Sequence, residues 1–210
     1  MSSSLYNNKM KRHDVYELII VIAKEIARKK QGALFVIAHQ KKARNLYKVL
    51  FPQIHKRFYV SAEGSGKVLE QLAMLDGAVF ISDNGMLMAY GAKIIKSKPL
   101  YGHGTRHAAA LGITSHLKGS TAILVSEEDH FIKVFQHGRI ILEMDAAEMP
   151  RALSDEIISF IADGDTALLT AAGVSTAILG GAIIGPLAII GGTYFAIKTA
   201  SGVIKRRFRL

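Results

Sequence analysis

Hydrophobic residues recur at helical spacing early in the chain and then collect in short runs. Between His13 and Lys30 the apolar positions repeat with the helical period, which predicts an amphipathic helix. Gly32 is expected to end that helix. Ala33–Ala38 is apolar throughout and predicts a buried strand. The beginning of the chain is therefore predicted to be a helix packed on a sheet.

Helices and strands are predicted to keep alternating as far as about residue 163. In chain order we first predict a basic helix or loop over 40–50, a strand at Arg57–Ser61, a helix at Val68–Leu75, and a hairpin of 77–82 with Met86–Ile95 around the turn Asp83-Asn84-Gly85. We then predict a helix from Thr105 to about His116, a strand at Thr121–Val125, a hairpin of Phe131–Phe135 with Arg139–Glu143, and a helix at Ser154–Ile161. This alternation, with strand pairs joined as hairpins, predicts a mixed α/β layer fold.

The end of the chain differs, because Thr166–Ile197 contains no charged residue. Gly185-Pro186 lies near the middle of this stretch and would break a helix. We therefore predict two apolar helices, near 166–184 and 187–204, that form a hairpin.

This hairpin is predicted to contact membrane lipid through 166–204, with both of its flanks on one side of the bilayer. The basic end of the chain, Lys205–Leu210, marks that side as cytoplasmic. A buried soluble pair of helices, or a tail used in oligomer contacts, is the alternative interpretation of the same pattern.

Composition narrows the class of protein. The chain has no cysteine, which excludes disulfides and thiolate chemistry and suits a cytosolic domain. Met1–Lys9 lacks an apolar core, so no cleavable signal peptide is expected. The net charge of +10 is concentrated toward the two ends of the chain, which suggests that they face a polyanion, either nucleic acid or anionic lipid. A solvated basic surface explains the N-terminal charge equally well.

A glycine-rich turn precedes a hydroxyl, a guanidinium and an imidazole in the segment 102–107. Thr105 is predicted to cap the helix that follows, and the N-terminus of that helix would attract phosphate. Arg106 can add a bidentate fork to a phosphate, and His107 a second donor. The plainer interpretation is a capped surface helix with two exposed polar residues.

Two acidic segments, Asp76-Gly77-Ala78 and Ser126-Glu127-Glu128, lie at the ends of predicted strands, where α/β proteins gather their sites. Asp76 could hold a divalent metal and accept a proton from an attacking hydroxyl, with Glu127 as a second acid beside the metal. Oxygen ligands suit Mg²⁺ or Mn²⁺, and the small residues at 77–78 leave room for a ribose or a base. Taken singly, the first segment is an ordinary turn and the second a solvated loop.

In this order the three segments resemble the diadenylate cyclase (DAC) domain. The signatures of that family are Asp-Gly-Ala, Gly-Thr-Arg-His-Arg, and Ser-Glu-Glu at the end of a strand. The chain carries Asp76-Gly77-Ala78, Gly104-Thr105-Arg106-His107 and Ser126-Glu127-Glu128. The resemblance covers about 12–145, and it implies a mixed, twisted β-sheet flanked by helices.

The resemblance also implies an activity, the synthesis of cyclic di-AMP by condensation of two ATP molecules with release of two pyrophosphates. Two domains would meet face to face as a homodimer, each holding one ATP substrate. Each 3′-hydroxyl would attack the α-phosphorus of the nucleotide in the other domain. A divalent metal ion, Mn²⁺ or Mg²⁺, is the implied cofactor, and a higher oligomer is compatible with the arrangement.

The resemblance assigns roles residue by residue. Asp76 would activate the hydroxyl, and Glu127 would support the metal. Catalysis is assigned to Asp76, Arg106 and His107, nucleotide binding to Gly77, Ala78, Gly104, Thr105, Arg106, His107 and Ser126, and metal binding to Asp76 and Glu127.

Three parts of the chain follow from these arguments. They are a flexible N-terminus at 1–11, a diadenylate cyclase-like nucleotide-binding domain at 12–163, and the hydrophobic helical hairpin at 164–210. The catalytic domain is expected on the cytoplasmic side of the cell membrane, and a cytoplasmic location is the alternative. No nucleic-acid partner is expected, because the chain has no groove-reading motif and no aromatic stacking set.

The chain departs from the family signature at one position, since the second arginine of Gly-Thr-Arg-His-Arg is Ala108. The change removes a cation from the phosphate or dimer face. Lys93, Lys96 and Arg139 are candidates to replace it. If none of them does, the domain is a catalytically weak or inactive module that binds ATP or cyclic di-AMP as a sensor at the membrane.

Overall fold

The computed structural model describes residues 9–54, 58–99, 104–146, 158–159 and 161–162, together with the backbone of five short strands between 174 and 196. Up to residue 146 the helices and strands, in chain order, are α1 Arg12–Arg28, β1 Ala33–Ala38, α2 Gln40–Ala43, β2 Tyr47–Val49, α3 Ser65–Ala73, β3 Ala78–Ser82, β4 Leu87–Ile94, α4 Thr105–His116, β5 Thr121–Val125, β6 Phe131–Gln136 and β7 Arg139–Asp145. The later strands are β8 Val174–Ser175, β9 Ile178–Leu179, β10 Ala182–Ile183, β11 Leu187–Ile190 and β12 Thr193–Ala196.

Seven strands form a mixed sheet in the order β2-β4-β3-β1-β5-β6-β7. The pair β1 and β3 is parallel, whereas β1 runs antiparallel to β5, and the hairpins β3–β4 and β6–β7 are antiparallel. Strands β12, β11 and β8 continue the sheet beyond β7. The mixed sheet flanked by helices that the sequence predicts is therefore confirmed.

Helices cover both faces of the central strand β1. Phe35 and Ile37 belong to the apolar layer that α1 and α3 close, while Leu34 and Val36 belong to the layer beneath α4. Successive residues of a strand face opposite sides of the sheet. An uninterrupted apolar run is therefore what a strand buried on both faces requires.

Two short predictions around residues 40–61 are correct only in part: Gln40–Ala43 is the predicted basic helix, and the errors concern a sheet edge. Tyr47–Val49, predicted as basic helix or loop, forms the edge strand β2 paired with β4. In the predicted strand at Arg57–Ser61, the described part forms one isolated bridge, between Tyr59 and Met86. Edge strands are short and polar, so neighbouring backbone decides them more than their own pattern does.

The helix boundaries agree with the prediction in part. Helix α3 begins at Ser65, three residues before its predicted start, and ends at Ala73. Of the helix predicted at Ser154–Ile161, residues 158–159 and 161 are described and are helical. Of the predicted flexible N-terminus, residues 1–8 lie outside the described part of the chain.

The helical hairpin predicted for 164–210 is not confirmed. Where the structure describes this range it assigns the short strands β8–β12, and the remaining residues of the range lie outside the description. An apolar run does not by itself distinguish helix from strand by its periodicity. Among the described residues, no helix combines the length and apolar character that a bilayer crossing needs.

Candidate active site

The strand register brings the acidic segments to one edge of the sheet. In the parallel pair, Phe35 of β1 lies opposite Val79 of β3, and β5 runs antiparallel to β1. The starts of β1 and β3 and the end of β5 therefore meet at the same edge. We call this side of the sheet, which is formed by strand ends and not by an edge strand and which carries Gly32, Asp76 and Ser126, the motif edge.

Strand β1 separates the two acidic segments, because it lies between β3 and β5. Neighbouring strands are about 4.8 Å apart, so the backbone at Asp76 and the backbone at Ser126 are separated by roughly 10 Å. Asp76 is exposed to solvent.

Helix α4 begins at the motif edge with Gly104 rather than with Thr105. Gly104 has an extended backbone and occupies the N-cap position, and no side chain caps the helix. The prediction that Thr105 is the N-cap is therefore wrong, because Thr105 is the first helical residue. Glycine is an acceptable N-cap and supplies no capping oxygen, so the first-turn N–H groups depend on other acceptors.

A cleft of about 330 Å³ opens where α4 begins and β5 ends. The cleft is lined by glycine and by hydroxyl-bearing, apolar, basic and acidic side chains: Gly104, Thr105, Arg106, His107, Leu124, Val125, Ser126, Glu127 and Glu128. Two of the three sequence segments therefore line one cleft, whose volume is at the lower end of the roughly 300–1,000 Å³ typical of small-molecule sites. Asp76 is not part of this lining and lies two strands away along the motif edge.

Arg106 forms an ion pair across the cleft. Its Nη1 lies 3.1 Å from Oε2 of Glu127, and the side chains are 32% and 63% exposed, respectively. A Cβ added at Gly32 would lie 2.5 Å from Nη1 of Arg106 and 3.2 Å from Cβ of Glu127. Gly32 was predicted only to end α1, but its lack of a side chain also makes room for this ion pair.

His107 is buried beneath the cleft and contacts an ion pair that the sequence analysis missed. Its ring meets Phe135 edge-on with centroids 6.2 Å apart, and its Nε2 lies 3.4 Å from Nζ of Lys133. Nζ of Lys133 in turn lies 2.5 Å from Oδ2 of Asp129. The sequence feature that could have indicated this ion pair is the single lysine of the apolar strand β6. It lies on the same face of the strand as Phe131 and Phe135.

Asp129 is held ionised by its surroundings. Burial alone would raise the pKa of Asp129, but hydrogen bonds from Lys133, from Ser126 and from the backbone of Phe131 outweigh it, and the pKa is lowered. Ser126 also receives a hydrogen bond from the backbone N–H of Asp129, at 3.4 Å. The buried Ser126 hydroxyl therefore organises the turn after β5 as well as lining the cleft.

Gly77 and Ala78 have packing roles in the structure. Gly77 has φ +100°, and a Cβ there would lie 2.7 Å from the backbone of Gly91 and Ala92. Glycine is therefore required both by conformation and by the close approach of β3 to β4. Ala78 is 1% exposed, within the layer beneath α4. Their part in a nucleoside pocket stays a prediction.

The carboxylates at the motif edge are suitable ligands for a divalent metal whose remaining ligands are phosphate oxygens and water. Asp76 and Glu127 are both exposed, and among the residues that the structure describes no three His, Asp or Glu side chains cluster closely enough to enclose an ion. Mg²⁺ is usually bound by one or two carboxylates, substrate phosphates and water. The donor set therefore has the right chemistry for such a metal.

The register separates the three candidates for the missing cation at Ala108. Arg139 pairs with Gln136, which pairs with Thr121 at the far end of β5. Arg139 therefore lies away from the motif edge and is excluded as a replacement for the arginine missing at Ala108. Lys93 follows Ala92, the partner of Ala78, and is exposed at the same edge as Asp76. The carbonyl of Lys96 lies against Gly112 in α4, so its segment packs beside the middle of that helix.

Fold and cleft together define a mixed α/β domain with cationic and acidic groups at one sheet edge. Residues 22–140 match the DAC family, described as DisA bacterial checkpoint controller nucleotide-binding. The match covers more than half of the chain, and the chain belongs to this family.

Curated relatives agree with this assignment. A protein of Haloferax volcanii named diadenylate cyclase is 33% identical over 144 residues, which cover 63% of this chain and 51% of that protein. A diadenylate cyclase of Methanocaldococcus jannaschii is 29% identical over 144 residues, which cover 64% of this chain and 45% of that protein. This chain thus spans about half the length of these relatives.

A crystal structure of a hypothetical membrane spanning protein from Bacillus cereus superposes with a TM-score of 0.51 and 19% identity, covering 65% of each chain. At this identity the likeness concerns the fold alone.

Proposed function

We propose that the chain is a diadenylate cyclase, which condenses two ATP molecules into cyclic di-AMP and releases two pyrophosphates. The observation that carries the proposal is the arrangement at the motif edge. Nη1 of Arg106 lies beside Gly32, the residue before the central strand β1, and 3.1 Å from Oε2 of Glu127. Asp76 precedes β3, the neighbouring strand on the opposite side of β1. A cation at an uncapped helix start, with carboxylates beside the two strands that flank β1, suits a metal-bound triphosphate.

In this proposal each half of a face-to-face homodimer holds one ATP. The N–H groups at the start of α4 and the Arg106 guanidinium bind phosphate oxygens. Asp76 accepts the proton of a 3′-hydroxyl, whose oxygen bonds to the α-phosphorus of the other nucleotide. The bond from that phosphorus to the bridging oxygen of pyrophosphate breaks, and the same exchange occurs once more to close the ring.

Asp76 and Glu127 are the residues that would hold a divalent metal. When bound, Mn²⁺ or Mg²⁺ would neutralise charge on the phosphates and on the leaving pyrophosphate. The cleft has one further acid beside Glu127, because Glu128 also lines it and its Oε1 lies 3.9 Å from a Cβ placed on Gly104. Without a cation, these carboxylates would repel a triphosphate.

The ion pair between Arg106 and Glu127 must then open when substrate enters. The pair is partly exposed, and exposed pairs contribute only about 0–1 kcal/mol. Arg106 would then contact a phosphate in place of Glu127, and the released Glu127 carboxylate would be available to hold the metal. Binding of nucleotide and binding of metal should therefore strengthen each other.

The direct test incubates the purified full chain with ATP and Mn²⁺ and identifies the nucleotides by mass. We expect cyclic di-AMP and pyrophosphate, with a specific activity that rises with protein concentration because two sites must meet. The Asp76→Asn variant serves as the inactive reference. Absence of the cyclic product at every protein and metal concentration would rule the proposal out.

Ala108 favours a second candidate function, a sensor that binds ATP or cyclic di-AMP without turnover. A lost arginine in direct contact with the reacting phosphates would cost about 2–4 kcal/mol of transition-state stabilisation. The sensor would bind nucleotide and release no pyrophosphate. Ala108→Arg should then create activity, whereas an already active chain should gain little from it.

A membrane anchor at 164–210 remains part of the proposal. Flotation of the full chain with vesicles that contain anionic lipid, in high salt, tests it. Retention on the vesicles supports an inserted segment, and release by salt would leave only a surface charge interaction.

A further inference from the structure

Lys133 is a buried cation outside the three sequence segments. Its side chain is 5% exposed, and it projects from β6, the strand next to β5. Its ammonium group contacts Asp129 on one side and Nε2 of His107 on the other. A buried lysine that contacts a cleft-lining histidine needs a physical explanation, since burying an ammonium group is costly unless it is paired.

In the contact between Lys133 and His107, the donor and the acceptor can be assigned. An ammonium group has three donors and no acceptor. Nε2 of His107, which faces Nζ of Lys133 at 3.4 Å, must therefore be the acceptor. A neutral imidazole with an accepting Nε2 carries its proton on Nδ1, because the bond made by one ring nitrogen sets the tautomer of the other.

Asp129 fixes the orientation of the Lys133 ammonium group that donates to His107. Its carboxylate binds Nζ of Lys133 at 2.5 Å and also receives the backbone N–H of Phe131 at 3.0 Å. The ammonium group is thereby oriented and its charge is balanced. Because that charge is already matched, Lys133 does not replace the missing arginine at Ala108 as a phosphate-binding cation.

We propose that Lys133 is a positioning residue for His107, which it holds as the neutral tautomer with the proton on Nδ1. His107 then lines the cleft as an uncharged ring, and its Nε2 is withdrawn from proton transfer. In the cleft, the side-chain positive charge that meets the phosphates then comes from Arg106 and not from His107. The catalytic meaning of this inference rests on the proposed function, but the tautomer itself does not.

The test is nitrogen NMR of the full chain labelled with ¹⁵N-histidine at neutral pH. The His107 signals are assigned by their loss in His107→Gln. We expect a single neutral tautomer with Nδ1 protonated, kept in Lys133→Arg and lost in Lys133→Met. Lys118→Met, which removes an exposed lysine in the turn after α4, is the matched control and should leave the tautomer unchanged.

Steady-state kinetics give the second measurement. Partners that orient metal-ligating histidines are worth about 10–100-fold in activity. By analogy Lys133→Met should lower kcat/KM for ATP by about 10–100-fold, with Lys133→Arg close to the parent. If Lys133→Met does not fold, the double change Lys133→Met with Asp129→Asn removes both charges together and replaces it.

Several outcomes would overturn the inference. They are an imidazolium or an Nε2-protonated ring at His107 in the parent chain, an unchanged tautomer in Lys133→Met, or an altered tautomer with unaltered kcat/KM. If the parent chain makes no cyclic di-AMP, the proposed function fails, and the tautomer measurements still decide the role of Lys133.

Discussion

The two ends of strand β5 carry polar groups that are arranged in opposite ways. At one end Thr121 is fully buried, and its Oγ1 lies 2.8 Å from the Tyr16 hydroxyl and 2.9 Å from Nε2 of Gln136. Gln136 also donates to the carbonyl of Ile161 at 2.6 Å. At the other end Ser126 leads into the cleft, where Glu127 is 63% exposed.

The difference shows what each polar cluster is for. At the buried end each group has its partner within the protein, and such a satisfied network stabilises and specifies the fold. At the motif edge Asp76 is exposed, and the ion pair between Arg106 and Glu127 is partly exposed, so these three charged groups are accessible to a ligand. Substitutions at the buried end should therefore change stability, and substitutions at the motif edge should change binding and turnover.

The largest effect is expected for Asp76→Asn, which removes the proposed base and metal ligand. Cyclic di-AMP formation should fall by about 100- to 10,000-fold, the usual contribution of a general base. The unfolding midpoint should stay the same, because Asp76 is exposed. Asp83→Asn, in the turn at the other end of β3, is the matched control and should keep full activity. Equal losses in both variants would break the contrast between the two ends.

Arg106→Ala should weaken nucleotide binding without destabilising the domain. Hydrogen bonds to a charged group are worth about 1.5–3 kcal/mol, which corresponds to an increase in Kd for ATP of roughly 10- to 150-fold. The control is Arg139→Ala, an exposed arginine at the opposite end of the strands. Calorimetric titration in the presence of metal measures both. A similar Kd for the two variants would mean that Arg106 does not bind phosphate.

Tyr16→Phe should have the reverse effect, a loss of stability with unchanged nucleotide affinity. The hydroxyl binds Thr121 and receives a hydrogen bond from Arg12 at 3.1 Å, so its removal should cost about 1–2 kcal/mol. Urea unfolding of Tyr16→Phe, Thr121→Val and the double variant gives the coupling between the two side chains. Additive effects would show that the buried network is not cooperative.

A smaller effect is expected from acid. The pKa of Asp129 is lowered in the folded protein, so its contribution to stability is complete above the ordinary carboxyl pKa and is lost as pH falls through the lowered folded value. Below about pH 4 the parent chain should lose stability more steeply than Asp129→Asn. Urea midpoints at neutral and acid pH measure the difference. Parallel pH profiles would show that the ion pair with Lys133 adds nothing to stability.

Much of the fold could be predicted because the apolar runs are short and sharply bounded. The observed bounds of β1 and β5, Ala33–Ala38 and Thr121–Val125, are those predicted, since each is a continuous apolar segment between polar residues or glycine. The motif residues at 104–107 and 126–127 were also expected to act together, and they line one cleft. Local sequence was sufficient wherever a pattern belonged to a single element.

The misses involve contacts between elements that are distant in the chain. β2 exists because β4 lies beside it, and the space at Gly32 matters because Arg106 and Glu127 meet there. Lys133 gained its contact with His107 only when β6 was placed beneath α4. No pattern within these segments reports such neighbours, since a hydrogen-bond partner twenty-six residues away, as for His107 and Lys133, leaves no local periodicity.

The sequence by itself determined the layered α/β architecture and the chemical groups at its functional edge, because alternation and motif spacing are properties of the chain. Tertiary structure decided the geometry that gives those groups a use: which strands are neighbours, which acid pairs with Arg106, and which nitrogen of His107 is held by Lys133. The physical reason is that burial, charge pairing and hydrogen-bond direction depend on distances through space, and those are set only when the sheet is assembled.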